Sequence, residues 1–325
     1  MKDTITEKVK KTVDIVVPVY NEEENIKFLY KKIMEAISEY DRYDFTVTFI
    51  DNKSTDNSRK IIEELAKEDK RARAIYNAKN FGHIRSPFYA LSRSDGDCAI
   101  LMAADLQDPP EKIKEFIAKW EEGYKVIYAV KKESFESKIM YFFRTLYYRI
   151  MKGISDTPQV EHFTGFGLYD KDFLKILKDL NDPYPYMRGL VAELGFEAAE
   201  IEFKQPKRQK GITKNNFYTL YDMAALGITT YSKKLMRLSI FISLFTGFIS
   251  FMGLFISVVL DICGKNIFAV HYLGFGIFLF LSVIMFFIGL LSEYVMMINQ
   301  RTLKRPLVIE EKRINFENTT KHNDE

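Results

Sequence analysis

Two long stretches of this chain carry no charged side chain, and they limit what it can fold into more than any other feature. Leu238 to Leu260 has none, and Ile267 to Ser292 is interrupted only by His271. At 1.5 Å per residue the first run makes a helix of about 35 Å, enough to cross a bilayer core. The connection Asp261 to Asn266 is short, so the pair reads as a helical hairpin. Lys233, Lys234 and Arg237 precede it, and Arg301, Lys304 and Arg305 follow it. Basic flanks of this kind keep both outer ends on the cytoplasmic side. Glu293 then falls near the inner interface. The expected organisation is a cytoplasmic domain over 1–236, two membrane helices within 237–299 (about 238–260 and 267–292), and a cytoplasmic tail over 300–325. The expected location is the cell membrane, with two spans and both termini cytoplasmic. The alternative is two helices buried in a soluble protein.

The first 236 residues have the opposite character. Short β-branched runs, Val13–Val19, Phe45–Ile50, Arg73–Tyr76, Cys98–Ala103 and Lys125–Val130, alternate with helical patterns. Uninterrupted apolar strands separated by helices predict a mostly parallel sheet with helices on both faces. Asn21 is expected to cap the first helix, with Glu24 three residues on; Ile26, Leu29, Ile33 and Ile37 line its apolar face. Asp108 is expected to cap the helix Glu111–Glu122, with Pro109 and Pro110 in its first turn and Glu111 closing a capping box. Ser134 to Ser155 has a basic face and an aromatic one, and fits either a membrane interface or a helix packed on the sheet. Tyr184 to Lys214 is rich in basic and turn residues, which suits a solvated loop or one facing anionic lipid.

Forty-seven basic against forty-four acidic residues, a net charge of +3, make no case for nucleic acid as a partner. The two cysteines, Cys98 and Cys263, lie in unlike segments, so no disulfide framework is expected. Met1 to Lys11 is charged and lacks an apolar core, so no signal peptide is expected.

Three predicted strand ends offer polar groups to one crevice: Pro18 to Glu22, Asp51, and Asp105 with Gln107. In open α/β sheets ligands bind at the carboxyl ends of strands. Asp51 can accept hydrogen bonds from a nucleobase or ribose, and Tyr20 can stack on a base. The oxygens of Asp105 and Gln107 suit a hard divalent cation that also binds a diphosphate. A Gly-rich loop of the Walker or dinucleotide type is missing, which argues against kinases and dehydrogenases. Nothing resembles a Ser/His/Asp set, and four histidines make a zinc hydrolase a poor fit.

Val16-Val17-Pro18-Val19-Tyr20-Asn21-Glu22-Glu23, Asp51-Asn52-Lys53-Ser54-Thr55-Asp56 and Ala104-Asp105-Leu106-Gln107-Asp108-Pro109-Pro110-Glu111 carry a resemblance. The chain resembles the family 2 glycosyltransferases of the GT-A fold, above all the polyprenyl-phosphate branch that includes dolichol-phosphate mannose synthase and bactoprenol glucosyltransferase. The resemblance covers nearly the whole length. It implies metal-dependent, inverting transfer of a sugar from a nucleotide sugar, UDP-linked by analogy, to a polyprenyl phosphate at the cytoplasmic membrane face. By the same resemblance Pro18, Tyr20, Glu22, Asp51, Ala103 and Ala104 surround the nucleotide. Asp105 and Gln107 hold Mg²⁺ or Mn²⁺, Asp105 and Asp108 serve catalysis, and Arg188, Arg208 and Lys214 lie near the phosphates. A homo-oligomer is left open.

The chain departs from the family pattern in three places. The usual Asp-x-Asp reads Ala103-Ala104-Asp105, the Asp-Asp-Gly-Ser turn reads Asp51-Asn52-Lys53-Ser54, and Gly-Asp-Phe-Arg reads Thr164-Gly165-Phe166-Gly167. The rival readings are transfer to a lipid hydroxyl, which needs a carboxylate base, and a catalytically silent membrane scaffold.

Overall fold

Lys11 to Val19 supplies seven β-branched or apolar side chains in nine residues, too many for a strand with a wet face, so it goes to the centre of a sheet. In the computed structural model this strand, β1 (Lys11–Val19), lies between β2 (Tyr43–Asp51) and β4 (Cys98–Leu101), parallel to both. β3 (Ala72–Asn77) continues the parallel set beyond β2. The structure describes residues 10–133, 163–180, 182, 185–206, 269–302 and 306–316, with single positions at 149 and between 245 and 263. They fall in two units, one made of Met1–Tyr141, Val160–Lys214 and Lys304–Glu325, the other of Phe142–Gln159 and Asn215–Leu303.

The sheet of the first unit has eight strands. β5 (Val126–Glu133), β6 (Phe163–Asp170), β7 (Ala198–Lys204) and β8 (Glu310–Ile314) complete the order β7-β5-β6-β4-β1-β2-β3-β8. The parallel core is as the sequence predicts. Three additions are not: β6 inserts antiparallel between β4 and β5, β7 pairs parallel with β5 from within a stretch expected as a loop, and β8 pairs antiparallel with the outer edge of β3. The expected tail over 300–325 thus contributes a strand to the sheet.

Helices cover both faces. α1 (Ile26–Ile37), α2 (Ser58–Glu68) and α4 (Ile113–Glu121) share one core with Val13, Ile15, Val17 and Val19. α3 (Gly82–Ser92) and α5 (Lys171–Leu180) share the other with Val16, Ile50 and Ile75. The one acidic group inside β1, Asp14, is buried but accepts the hydroxyls of Thr46 and Thr48 at 2.9 and 2.7 Å. A short helix, α6 (Met187–Glu193), follows α5. The second unit contains α7 (Ala269–Thr302), 34 residues long.

Two expected caps are corrected. α1 begins at Ile26 after Asn25, not after Asn21. Asn21 instead adopts φ +55 and donates from its amide to Thr55 Oγ1 at 3.2 Å. Asp108 does not cap α4, which is led in by a single 3₁₀ turn, Pro110–Lys112, after an extended Pro109. The carboxylate of Asp108 turns back toward the strand and accepts the N–H of Ala103.

Among the described residues no helix is long and apolar enough to cross a membrane. That statement reaches only part of the two charge-free runs. Nearly all of 238–260 lies outside the described residues, and the second run falls in α7, only part of whose side chains are described. The amphipathic stretch expected over 134–155 also lies outside them, apart from Arg149.

Candidate active site

Strand order reverses direction at β1: the chain lays β2 and β3 on one side of it and β4 on the other. This is the switch point at which α/β sheets leave a crevice. Three strand ends meet here, and each carries a non-glycine residue in the left-handed region: Asn21 (φ +55), Lys53 (φ +64) and Leu106 (φ +62). Such conformations cost on the order of 1–3 kcal/mol each and cluster at functional sites.

The loops after β1 and β2 are latched together. Ser54 Oγ accepts the N–H of Asn21, Ser58 Oγ that of Glu22, and Asp56 that of Glu23. In return the N–H of Thr55 donates to Asn21 Oδ1 at 2.7 Å, and that of Asn57 to Glu23 at 2.9 Å. The Asn52 side chain extends the latch to the third loop, accepting the N–H of Phe81 and donating to Asn80 Oδ1 and the carbonyl of Gly82. Pro18, Tyr20 and Glu22 are half-buried along this rim. The structure therefore brings the nucleotide-side candidates of β1 and β2 to one edge.

Asp51 lies deeper. It is fully buried, its carboxylate accepting the N–H of Ser54 and, at 2.7 Å, Nε of Arg59. Arg59 itself lies over the Tyr76 ring, 4.9 Å from its centroid, and pairs with Glu311 of β8 at 3.1 Å. Lys53 reaches the same Glu311 at 2.7 Å. Neither Arg59 nor Glu311 stands out in the sequence. Arg59 is one basic residue among many in a helix, and Glu311 lies 260 positions from Asp51 in a run of charges.

At the end of β4 the loop folds around its own carboxylates. Asp105 Oδ1 accepts the N–H of Gln107 at 3.1 Å. Asp105, Gln107 and Ala103 are half-buried, whereas Ala104 is 4% and Asp108 only 6% exposed. Burial, with a smaller push from Asp105, raises the Asp108 carboxyl to about 6. Asp108 thus lies beneath the crevice and fixes the strand end; Asp105 lies on its surface. Among the described residues no group of three or more His, Cys, Asp or Glu could hold a metal by itself. One carboxylate and one amide oxygen fit a cation only if it brings phosphate oxygens of its own, as Mg²⁺ commonly does.

The third departure from the family pattern falls in β6. Gly165 has φ +105, and a Cβ on Gly167 would stand 2.3 Å from the carbonyl oxygen of Ile127. On this backbone a side chain at Gly167 would clash with the neighbouring strand, and one at Gly165 would be strained. Of the expected phosphate contacts, Arg188 belongs to α6 with its side chain outside the described residues, and Arg208 and Lys214 lie outside them altogether.

The model of "Glycosyl transferase family 2" matches residues 14–177, which span β1 to α5 and so all three strand ends. This chain belongs to glycosyl transferase family 2. It is 31% identical over 318 residues to an uncharacterized glycosyltransferase of Bacillus subtilis, covering 96% of this chain and 97% of that protein. It is 30% identical over 297 residues to the bactoprenol glucosyl transferase of Shigella phage SfX, covering 90% of this chain and 97% of that protein. Relatives with that name are what the resemblance to the polyprenyl-phosphate branch predicts. Among solved structures, mannosyl-3-phosphoglycerate synthase from Rubrobacter xylanophilus covers 67% of this chain and 72% of its own, with 16% identity and a TM-score of 0.46.

Proposed function

We propose that this glycosyltransferase moves a sugar, with inversion, from a uridine-diphosphate sugar to the phosphate of a polyprenyl phosphate at the cytoplasmic face of the cell membrane. The observation that carries the acceptor is the similarity to bactoprenol glucosyl transferases over 90% of the chain, which reaches into the charge-free runs. Membrane contact is supported by those runs and by the apolar side chains that α7 leaves exposed, among them Phe280, Phe286, Ile288, Leu291 and Val295. The hairpin over 238–260 and 267–292, with both ends cytoplasmic, belongs to this reading.

The chemistry follows from the acceptor. A phosphate monoester has its second pKa near 6 and is largely dianionic at pH 7. Its oxygen can attack the anomeric carbon as the bond to the nucleoside diphosphate breaks, without a protein base. Asp108, buried and bonded to Ala103, is then free to act as a positioning residue. A lipid hydroxyl would need a base at the surface of the crevice, and Asp105 is the one carboxylate the β4 loop exposes there. Asp105 and Gln107 would hold Mg²⁺ or Mn²⁺, which supplies charge neutralisation on the diphosphate leaving group. Tyr20 and Pro18 flank the base, Glu22 and Asp51 accept its hydrogen bonds or those of the ribose, and Ala103 and Ala104 border the nucleotide. Arg188, Arg208 and Lys214 neutralise the phosphates.

The test uses membranes carrying the protein, a panel of labelled nucleotide sugars and a polyprenyl phosphate, followed by lipid extraction. Label that reaches the lipid from a UDP-sugar supports the reading. Equal transfer to the free polyprenol would favour the hydroxyl rival, and no transfer from any donor would favour the scaffold.

A further inference from the structure

β8 comes from the far end of the chain, yet its one irregular position is aimed at the nucleotide side of the crevice. Tyr76 pairs with Lys312 and Asn77 with Glu310, so Glu311 is the extra residue of a β-bulge. Bulges at sheet edges re-aim a side chain. Here Glu311 is turned onto Lys53 Nζ at 2.7 Å and Arg59 Nη2 at 3.1 Å. Arg59 in turn grips Asp51 through Nε at 2.7 Å. Four charges therefore alternate in sign: Lys53, Glu311, Arg59, Asp51. Glu311 is held down to about 2, first by its hydrogen bond from Arg59 and then by that from Lys53.

The guanidinium is fixed at both ends and stacked on Tyr76, so it can approach Asp51 from one side only. It occupies Oδ2, which the Ser54 N–H also reaches at 3.3 Å, whereas among the described residues Oδ1 accepts that N–H alone, at 3.1 Å. A carboxylate oxygen has capacity for a second donor. The oxygen left with that capacity is thus set before a nucleotide arrives. Lys53 joins the network from a left-handed position, and its ion pair offsets part of that strain.

We propose that β8 belongs to the donor-selection machinery: Glu311 and Arg59 are positioning residues that orient Asp51 for nucleobase recognition. This rests on the reading of Asp51 as an acceptor for the base. Arg59 can be replaced by Lys with retention of charge and loss of the fork. Glu311, on an edge strand with its side chain 45% exposed, can become Gln without disturbing a core.

The experiment measures affinity of UDP and GDP for the purified full-length protein by equilibrium dialysis, in the parent and in Asp51→Asn, Arg59→Lys and Glu311→Gln, with thermal unfolding of each as a check on folding. Glu311→Gln should weaken the preferred nucleotide about 2–5-fold, the scale of an exposed ion pair, and leave the other unchanged. Arg59→Lys should cost about tenfold or more, the scale of a hydrogen bond to a charged group. Both variants should narrow the UDP/GDP ratio. Loss of a negative charge beside a diphosphate would by itself tighten both nucleotides equally, and that outcome overturns the proposal. So does a ratio that changes in Asp51→Asn but in neither other variant, with Asp51 still reading the base. A ratio unchanged in Asp51→Asn overturns the reading of Asp51 and the proposal with it.

Discussion

Gly167 is the position at which the backbone makes its strongest demand. It is paired with Leu101 on β4 and Tyr128 on β5, in the middle of three strands. A Cβ here would meet Ile127 O at 2.3 Å and Tyr128 Cα at 3.1 Å, and side-chain carbons essentially never come within 3.0 Å. Both obstacles are backbone, so no rotamer change relieves them. Overpacking typically costs about 1–3 kcal/mol, and Gly167→Ala belongs at the upper end, on the order of 3 kcal/mol. For a domain of this size that lowers Tm by roughly 6–12 °C. Thermal unfolding of the purified chain can be followed by the fluorescence of Trp120, its single tryptophan, whose indole donates to Asp170 at the end of β6 at 2.7 Å. Gly165→Ala is the control: its obstacle is the Leu101 side chain at 3.3 Å, and the φ of +105 remains the main penalty. Parental unfolding of Gly167→Ala would refute the strand geometry.

Other outcomes follow from the β4 loop. Asp105→Asn should lose about 10²–10³ in transfer rate while the fold is retained, read by Trp120 fluorescence and by transfer with saturating Mg²⁺ or Mn²⁺; parental activity would remove the metal role. Ala103→Asp should fold as the parent does, since Ala103 is half-buried at the crevice and contributes its backbone N–H, and it should raise metal affinity in a titration. Asp108 has a folded value raised to about 6 from 3.8. A raised acid weakens the fold as pH climbs from the unfolded to the folded value. The parent, with chelator present, should therefore lose on the order of 2 kcal/mol of stability between about pH 4 and 6 relative to Asp108→Asn. A denaturant series across that window that runs parallel for the two proteins would contradict this.

The parallel core was legible because β-branched runs such as Val13–Val19 have few alternatives, and the ends of β1, β2 and β4 could be read as one edge from strand alternation alone. Capping was not. Asn21 and Asp108 have the right side chains for helix starts, but both are claimed by partners outside the helix, Thr55 and the backbone of Ala103. Such competition is decided by tertiary contacts and leaves no local trace. β8 was hidden for a different reason. Glu310–Ile314 is nearly all charged and mostly exposed, and its place depends on backbone pairing with β3 and on charges more than 250 positions away. Gly165 and Gly167 read in the sequence as two lost functional side chains. In the structure they are also what lets β6 pass between β4 and β5.

The proposed nucleophile is a phosphate oxygen on an isoprenoid lipid, and the proposed donor is a UDP-sugar. The most direct measurement offers membranes carrying the protein a UDP-sugar labelled in the sugar, with polyprenyl phosphate or free polyprenol, and analyses the extracted lipid by mass spectrometry. The expected product is a single polyprenyl-phosphate sugar, its formation lost with chelator and absent with the free alcohol. A product carrying the sugar directly on the alcohol oxygen would contradict it.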